Sequence, residues 1–377
     1  SLFRRDSQGR LLVPGTGIAG ALRGHLTRLA PALTALTAQK RKLVCDALTG
    51  KPTKTDQACG CIVCHLFGDI RPTSSFRDEN QALANYEREN GRASRLIVHD
   101  AVIENAITHI RDGVGIDRTT GTAARSASAK FDFETIPAEI PFTIQLELEE
   151  ADEIDEYLLQ LALDEWQQER IRFGGSKSRG AGSVRLSDVQ VMRLDLGQPH
   201  DLMKFLRRDQ QTPPSQLMTI TPPHRQYHHE YAEVPGSVQS WLTFEFKLAA
   251  QGFFLTNDPT RAAAQGYDHL SLQFLPGASL RGALRSQAER IARTLVNLRV
   301  NSESEFLELC PASNPFVTST KQRGLMSSAA RIRQSDNITR REDADAYDLA
   351  EQLFGSADWG SRLWVDDAPI INNPLSK

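Results

Sequence analysis

Apolar and polar positions follow two different periods along this chain. Ile18, Leu22, Leu26 and Leu29 recur at helical spacing directly after Pro14-Gly15, so a helix opens there. Residues 95–103 are a strand candidate. So are 142–149, where Phe142, Ile144, Leu146 and Leu148 alternate with polar neighbours. Between them, 110–135 carries glycines, arginines and few apolar positions, the pattern of an extended arm or hairpin. Residues 151–168 form an acidic amphipathic helix. The run Glu149, Glu150, Asp152, Glu153, Asp155 and Glu156 reads as its solvated face and first turn. A strand, a glycine loop and a second strand follow over 170–186. Residues 195–236 are rich in proline and read as a connection. Trp241 to Leu248 alternates as a strand, a helix is expected over 279–297, and 325–350 reads as an insertion.

The chain also repeats itself. Pro14-Gly15-Thr16-Gly17-Ile18-Ala19-Gly20-Ala21-Leu22-Arg23 returns as Pro276-Gly277-Ala278-Ser279-Leu280-Arg281-Gly282-Ala283-Leu284-Arg285. Leu66-Phe67-Gly68 returns as Leu353-Phe354-Gly355, and Ala93 to Ile103 as Gly360 to Ile370. Three blocks in one order imply a duplicated module, too long a repeat for a solenoid unit. The copies differ at their margins. Copy one has no counterpart to the 241–248 strand, and copy two none to the 110–135 arm or the 174–182 loop. A sheet module missing an edge needs a partner, from further sequence or from a neighbouring subunit.

A length of 377 residues favours two or three domains. Three regions are expected: a first module over 1–192, a linker over 193–238 and a second module over 239–377. The first contains an insertion at about 32–65 and an arm at about 108–135. The net charge of −3 excludes a uniformly basic nucleic-acid binder but not a local basic track. No apolar run approaches the roughly 18 residues of a membrane span, and no signal-peptide pattern appears, so a cytoplasmic protein is expected. Four of the five cysteines, Cys45, Cys59, Cys61 and Cys64, lie close together. That spacing fits a metal site better than a disulfide framework.

Four constellations carry chemistry. In the glycine loop, Gly174, Gly175, Gly180 and Gly182 surround Lys177 and Arg179. Glycines let a backbone approach a phosphate, and adjacent cations hold its charge. A tight hairpin with solvated charges is the competing reading. At each Pro-Gly helix, unpaired amides and a partial positive charge favour anions. Arg23, Arg281 and Arg285 project from the first turns, the last two sharing a face. The cysteines supply four thiolates to a tetrahedral structural zinc, and His65 or His25 is an alternative for one of them. On the arm, Ile116, Arg118 and Thr119 place an apolar residue beside a cation, as a wedge between bases requires. His224, His228 and His229 lie in the connector and fit a solvated linker better than a metal site.

In their order, these stretches resemble the RAMP superfamily, the repeat-associated proteins that build CRISPR effector complexes. The closest likeness is the backbone subunit of type III effectors. The tandem arrangement is similar to the fused double-backbone subunits of III-D-like complexes. The resemblance implies an α+β fold of two tandem ferredoxin-like, RRM-type RAMP domains, with the arm as a thumb hairpin and the cysteine segment as a zinc-binding insertion. It implies guide (CRISPR) RNA, target RNA and other effector subunits as partners. The helix after Pro-Gly and the glycine loop would grip guide backbone, and the thumb would kink the guide–target duplex. Base pairing then reads sequence while protein reads shape.

The resemblance also implies an aspartate ahead of the Pro-Gly motif that supports cleavage of target RNA with Mg2+ or a similar divalent ion. Asp258 is the first candidate, Asp268 the second and Asp6 a weak third. A scaffold without a catalytic acid is the first alternative. A guide-processing endoribonuclease, with His25 as its base, is the second.

Overall fold

The computed structural model describes residues 3–33, 42–45, 59–69, 92–104, 106–117, 122–124, 130–191, 193–207, 242–252, 256–258, 262, 264–267, 274–309, 311–314, 326, 328, 346–356 and 359–370. Strand β1 (Leu11–Val13) leads into helix α1 (Gly15–Leu29). Pro14 caps the helix in an extended conformation, φ −65° and ψ 129°, which suits its fixed φ and missing N–H. The helix turns Ile18, Leu22, His25 and Leu26 inward, matching the predicted apolar stripe. Helices α2 (Ile62–Phe67) and α3 (Glu153–Gln167) pack against it.

Segment 96–103 organises the strands. Its first half, β2 (Leu96–Val98), pairs antiparallel with β6 (Leu146–Leu148), and its second half, β3 (Ala101–Ile103), pairs antiparallel with β1. The inner faces of strands and helices enclose one core. Leu22, Leu26, Ile62, Leu66, Leu158 and Trp166 are almost wholly removed from solvent, each contributing roughly 1.5–3 kcal/mol of transfer free energy. Between β3 and β6 stands a hairpin, β4 (His109–Val114) with β5 (Lys130–Thr135), in register from His109↔Thr135 to Val114↔Lys130. Helix α4 (Pro199–Arg207) follows the first module.

The second module rebuilds the same beginning. Strand β7 (Phe274–Leu275) enters helix α5 (Gly277–Asn297), with α6 (Glu303–Leu309) and α7 (Leu349–Phe354) beside it. β7 pairs with β8 (Ala368–Pro369) through Phe274↔Pro369 and Leu275↔Ala368. The first module pairs Leu12↔Val102 and Val13↔Ala101, the same register at the repeated positions. Helices with small antiparallel sheets make the fold α+β.

Five expectations change. Residues 170–186 form no strand: only Arg172 and Ser183 bridge across the glycine loop. The acidic run at 149–156 is not all solvated: Asp155 is fully buried, because the capping box with Asp152 and the partners His65 and Arg95 turn it inward. Residues 242–250 lie exposed with no strand pairing among the described residues, although they alternate well. Alternation makes a strand only where a partner supplies hydrogen bonds. Residues 142–145 are likewise outside any strand, leaving β6 at three residues. The connection at 195–236 contains helix α4, whereas His224, His228 and His229 lie outside the described residues, as do Trp241, Cys310 and most of 325–350.

Candidate nucleic-acid interface and metal centre

Each module opens on the same corner. The Gly15 N–H donates to Asp100 Oδ1 at 2.7 Å, and the Gly277 N–H donates to Asp367 Oδ1 at 2.8 Å. Neither glycine has room for a side chain. A Cβ would lie 2.0 Å from the Val98 carbonyl oxygen at Gly15 and 2.1 Å from that of Val365 at Gly277. These carboxylates already occupy the first amide of each helix, so the Pro-Gly turn offers an incoming phosphate less than the sequence implies.

The helix arginines also point inward. Arg281 is buried and donates to the Phe354 carbonyl oxygen and, at 3.3 Å, to Ser361 Oγ. Arg285 donates to the Gly355 carbonyl oxygen at 2.8 Å and pairs with Glu289. Both guanidiniums lie near the Phe354 ring. In the first module Arg23 reaches the matching place and donates to Cys64 Sγ at 3.2 Å. Arg281 and Arg285 therefore hold the repeated Leu-Phe-Gly helix end and Arg23 holds the first turn of the preceding cysteine helix, and that engagement takes all three out of the phosphate-gripping set.

Cys61 and Cys64 bracket the start of α2, where Cys61 Sγ accepts the Cys64 N–H at 3.3 Å. Cys45 Sγ lies 3.6 Å from Cys64 Sγ. All four cysteines are buried, and their sulfurs fall within 4.8 Å of one another. Tetrahedral zinc with Zn–S near 2.3 Å places its sulfurs about 3.8 Å apart, so this set could hold such an ion. The Cys61 thiol, Cys45 and the Arg23 charge pull the Cys64 thiol down to about 6, while the same coupling pushes Cys61 upward. Neither histidine belongs to the set. His65 Nδ1 meets Asp155 at 2.9 Å, and His25 Nε2 meets Glu165 at 2.9 Å in a buried pair. The Glu165 partner likewise leaves His25 no exposed position from which to act as a base.

Aligned on Leu-Phe-Gly, Cys61 and Cys64 correspond to Asp348 and Glu351. Asp348 caps α7 by accepting the Glu351 N–H at 2.9 Å, and it also accepts the Ser313 N–H at 3.1 Å. Glu351 accepts the Ser328 N–H at 2.9 Å. Buried carboxylates thus tie segments to the helix start in module two, where cysteine sulfurs gather in module one. A search for a second cysteine set misses this. Superposing the repeats at Leu-Phe-Gly finds it.

The glycine loop is built for sharp turns. Gly174, Ser176, Gly180 and Gly182 all have positive φ, and the Phe173 N–H donates to the Gly182 carbonyl oxygen at 2.9 Å. Gly174, Gly175, Lys177 and Arg179 are exposed. Gly180 faces the second module, where a Cβ would sit 2.4 Å from Asp367 Oδ1. The base of the hairpin reaches the same carboxylate: Arg111 Nη1 lies 3.2 Å from Asp367 Oδ2, between the rings of Phe133 and Phe274. Arg172 pairs with Asp366 at 2.6 Å and lies over Trp364. One junction therefore joins the β4–β5 hairpin, glycine loop and second Pro-Gly helix. The sequence reading missed Arg111, Arg172, Asp366 and Asp367, although Asp100 and Asp367 stand at the same place in the repeat.

The chain matches the model of the RAMP superfamily over residues 1–185 and 262–377. It belongs to the RAMP superfamily. The two matched stretches hold the two copies of the repeat, as a tandem RAMP protein requires. No curated protein matches the chain. The superfamily is associated with CRISPR effector complexes and RNA binding, which is the setting for the remaining candidate residues of this RAMP chain.

Beyond β4 of the hairpin, Ile116 is half exposed and bridges Ala123, and Arg118 and Thr119 lie outside the described residues. Alternation puts Ile110, Asp112 and Val114 on the face opposite Arg111, and Ile110 and Val114 are exposed. Asp6 turns on its own loop, accepting from the Gln8 and Arg10 N–H groups and from Arg10 Nε. The Arg10 hydrogen bond holds its carboxyl below the usual range. Asp258 is partly buried, and its carbonyl accepts the Ala262 N–H. Asp268 lies outside the described residues. No helix among the described residues is long and apolar enough to cross a membrane.

Proposed function

We propose that this chain is a tandem backbone subunit of a type III, III-D-like CRISPR effector in the cytoplasm, binding guide RNA and shaping the guide–target RNA duplex. The observation that carries the reading is the exposed glycine loop, with Lys177 and Arg179, set between thumb base and second Pro-Gly helix in a RAMP chain. Open backbone amides and two cations track a phosphate chain without reading bases. The exposed aliphatic face of Ile110, Val114 and Ile116 supplies the wedge that stacks against unstacked bases. A structural zinc held by Cys45, Cys59, Cys61 and Cys64 would fix the insertion.

Among the described residues no other ligand-type side chain groups with Asp258 into a metal-binding set, and Asp268 lies outside them. Two measurements test the proposal. Lys177→Ala with Arg179→Ala should weaken guide retention and flatten its salt dependence by about 0.7 log units per lost phosphate contact. Unchanged retention would sink the guide-binding role. Cleavage of labelled RNA complementary to the guide, compared in magnesium and in EDTA, decides the chemistry. Regularly spaced cuts, one of them lost in Asp258→Ala, would establish the slicing reading.

A further inference from the structure

Four thiolates around one zinc ion leave a net charge of about −2. The four cysteines are each at most 5% exposed, so that charge would stand largely out of water, where a charge without an offsetting partner is costly. Asp69 accepts the Cys59 N–H and adds another negative group beside the sulfurs. An offset comes from outside the cysteine segment. Arg23 of α1 donates from Nη2 to Cys64 Sγ at 3.2 Å. A guanidinium stays charged at every accessible pH and aims its N–H groups in a fixed fork.

The repeat keeps this arginine while the anion changes. Arg285 stands where Arg23 does, and Glu351 where Cys64 does. Burial and the Asp348 charge push the Glu351 carboxyl up, and the Arg285 charge works against them. Arg285 itself is held by the Gly355 carbonyl oxygen and Glu289. One arginine position thus faces the same helix start in both modules, whether that start carries sulfur or carboxylate.

We propose that Arg23 is the outer-shell partner of the metal centre: its N–H bond orients the Cys64 sulfur, and its charge offsets part of the charge of the loaded cysteine set. The same contact ties that set to the Pro-Gly helix, since Arg23 belongs to α1 and Cys64 to α2. Arg23 is a positioning residue here, not a ligand. The inference rests on the zinc reading above and adds to it a residue that lies outside the cysteines. Hydrogen-bonded outer-shell partners control metal affinity by about 10–100-fold.

The test uses the purified full chain, stripped of metal and reloaded. Visible absorption of the cobalt-loaded chain reports four-sulfur ligation, and competition against a chelator gives zinc affinity. Arg23→Gln keeps an N–H donor without the charge. Arg23→Lys keeps the charge without the fork. Arg23→Gln should weaken zinc binding by about 10–100-fold with the four-sulfur cobalt spectrum kept, and Arg23→Lys should recover part of the loss. Arg290→Gln, which removes an exposed cation of module two, should change neither. Unchanged affinity in Arg23→Gln would overturn the inference and leave the zinc reading standing, as would an equal loss in Arg290→Gln. A wild-type chain that binds neither ion would overturn the zinc reading and this inference with it. A second measurement needs no variant. In the wild-type chain loaded with a spin-active cadmium isotope, a guanidinium proton of Arg23 should show scalar coupling to the metal through the N–H···S bond. A loaded chain without that coupling would overturn the inference even where Arg23→Gln fails to fold.

Discussion

At the residue scale, two helix starts solve one problem with different chemistry. Cys64 gathers hydrogen bonds from Cys61 and Cys45 and the charge of Arg23, which brings its thiol down to about 6. A metal ligand must be a thiolate, so zinc binding releases protons and bound zinc should be lost on acidification. Cys64→Ser should leave little metal at any pH, and metal analysis after dialysis reads both. Glu351 moves the opposite way. Burial first, then the Asp348 charge, raises its carboxyl above the usual 4.5. The folded chain then holds that proton more tightly than the unfolded chain does. The resulting stability is full below about 4.5 and is lost as pH rises through the folded value. Glu351→Gln, uncharged throughout, should flatten that part of a melting-temperature profile against pH.

At the element scale, the Pro-Gly turn works by closeness of backbone to backbone. Gly15→Ala must push the Val98 carbonyl aside and should cost about 1–3 kcal/mol, the range for overpacked sites. Gly20 lies in the same helix with open space where its Cβ would be. Gly20→Ala should stabilise by about 0.5–1 kcal/mol, since alanine loses less backbone freedom in a helix. Chemical denaturation of the two variants separates a packing role from mere helix propensity. The two repeated helices also differ in cover. Leu22 of α1 is wholly buried beneath α2 and α3, whereas its counterpart Leu284 of α5 is 43% exposed.

At the scale of the whole molecule, the base of the β4–β5 hairpin and the glycine loop of one module brace the other. Arg172 is 9% exposed, but Asp366 is 65% exposed, so screening limits that ion pair to at most about 1 kcal/mol. The guanidinium stacking on Trp364 adds about as much again. Arg172→Ala should therefore cost about 2 kcal/mol or less, and the double variant with Arg111→Ala more. Its clearer signature should be the separation of one calorimetric transition into two. A single unchanged transition would show that the junction does not couple the modules.

Much of this protein was legible along the chain. The duplication, the Pro-Gly helices with their apolar stripe, the hairpin and the cysteine spacing all follow from neighbours a few residues apart. Spacing on a helix or strand fixes which side chains share a face. What the sequence could not decide was the direction of each charge. Arg281 and Arg285 looked like phosphate grips, yet they bond carbonyls some seventy positions away. Asp155 looked solvated and is buried with His65 and Arg95. Residues 241–248 alternate like a strand, but pairing needs a second chain segment at the right distance. The arginine–carboxylate junction joins residues separated by nearly two hundred positions or more. A charge goes where a partner offsets its desolvation, and only the folded chain determines which partner is near.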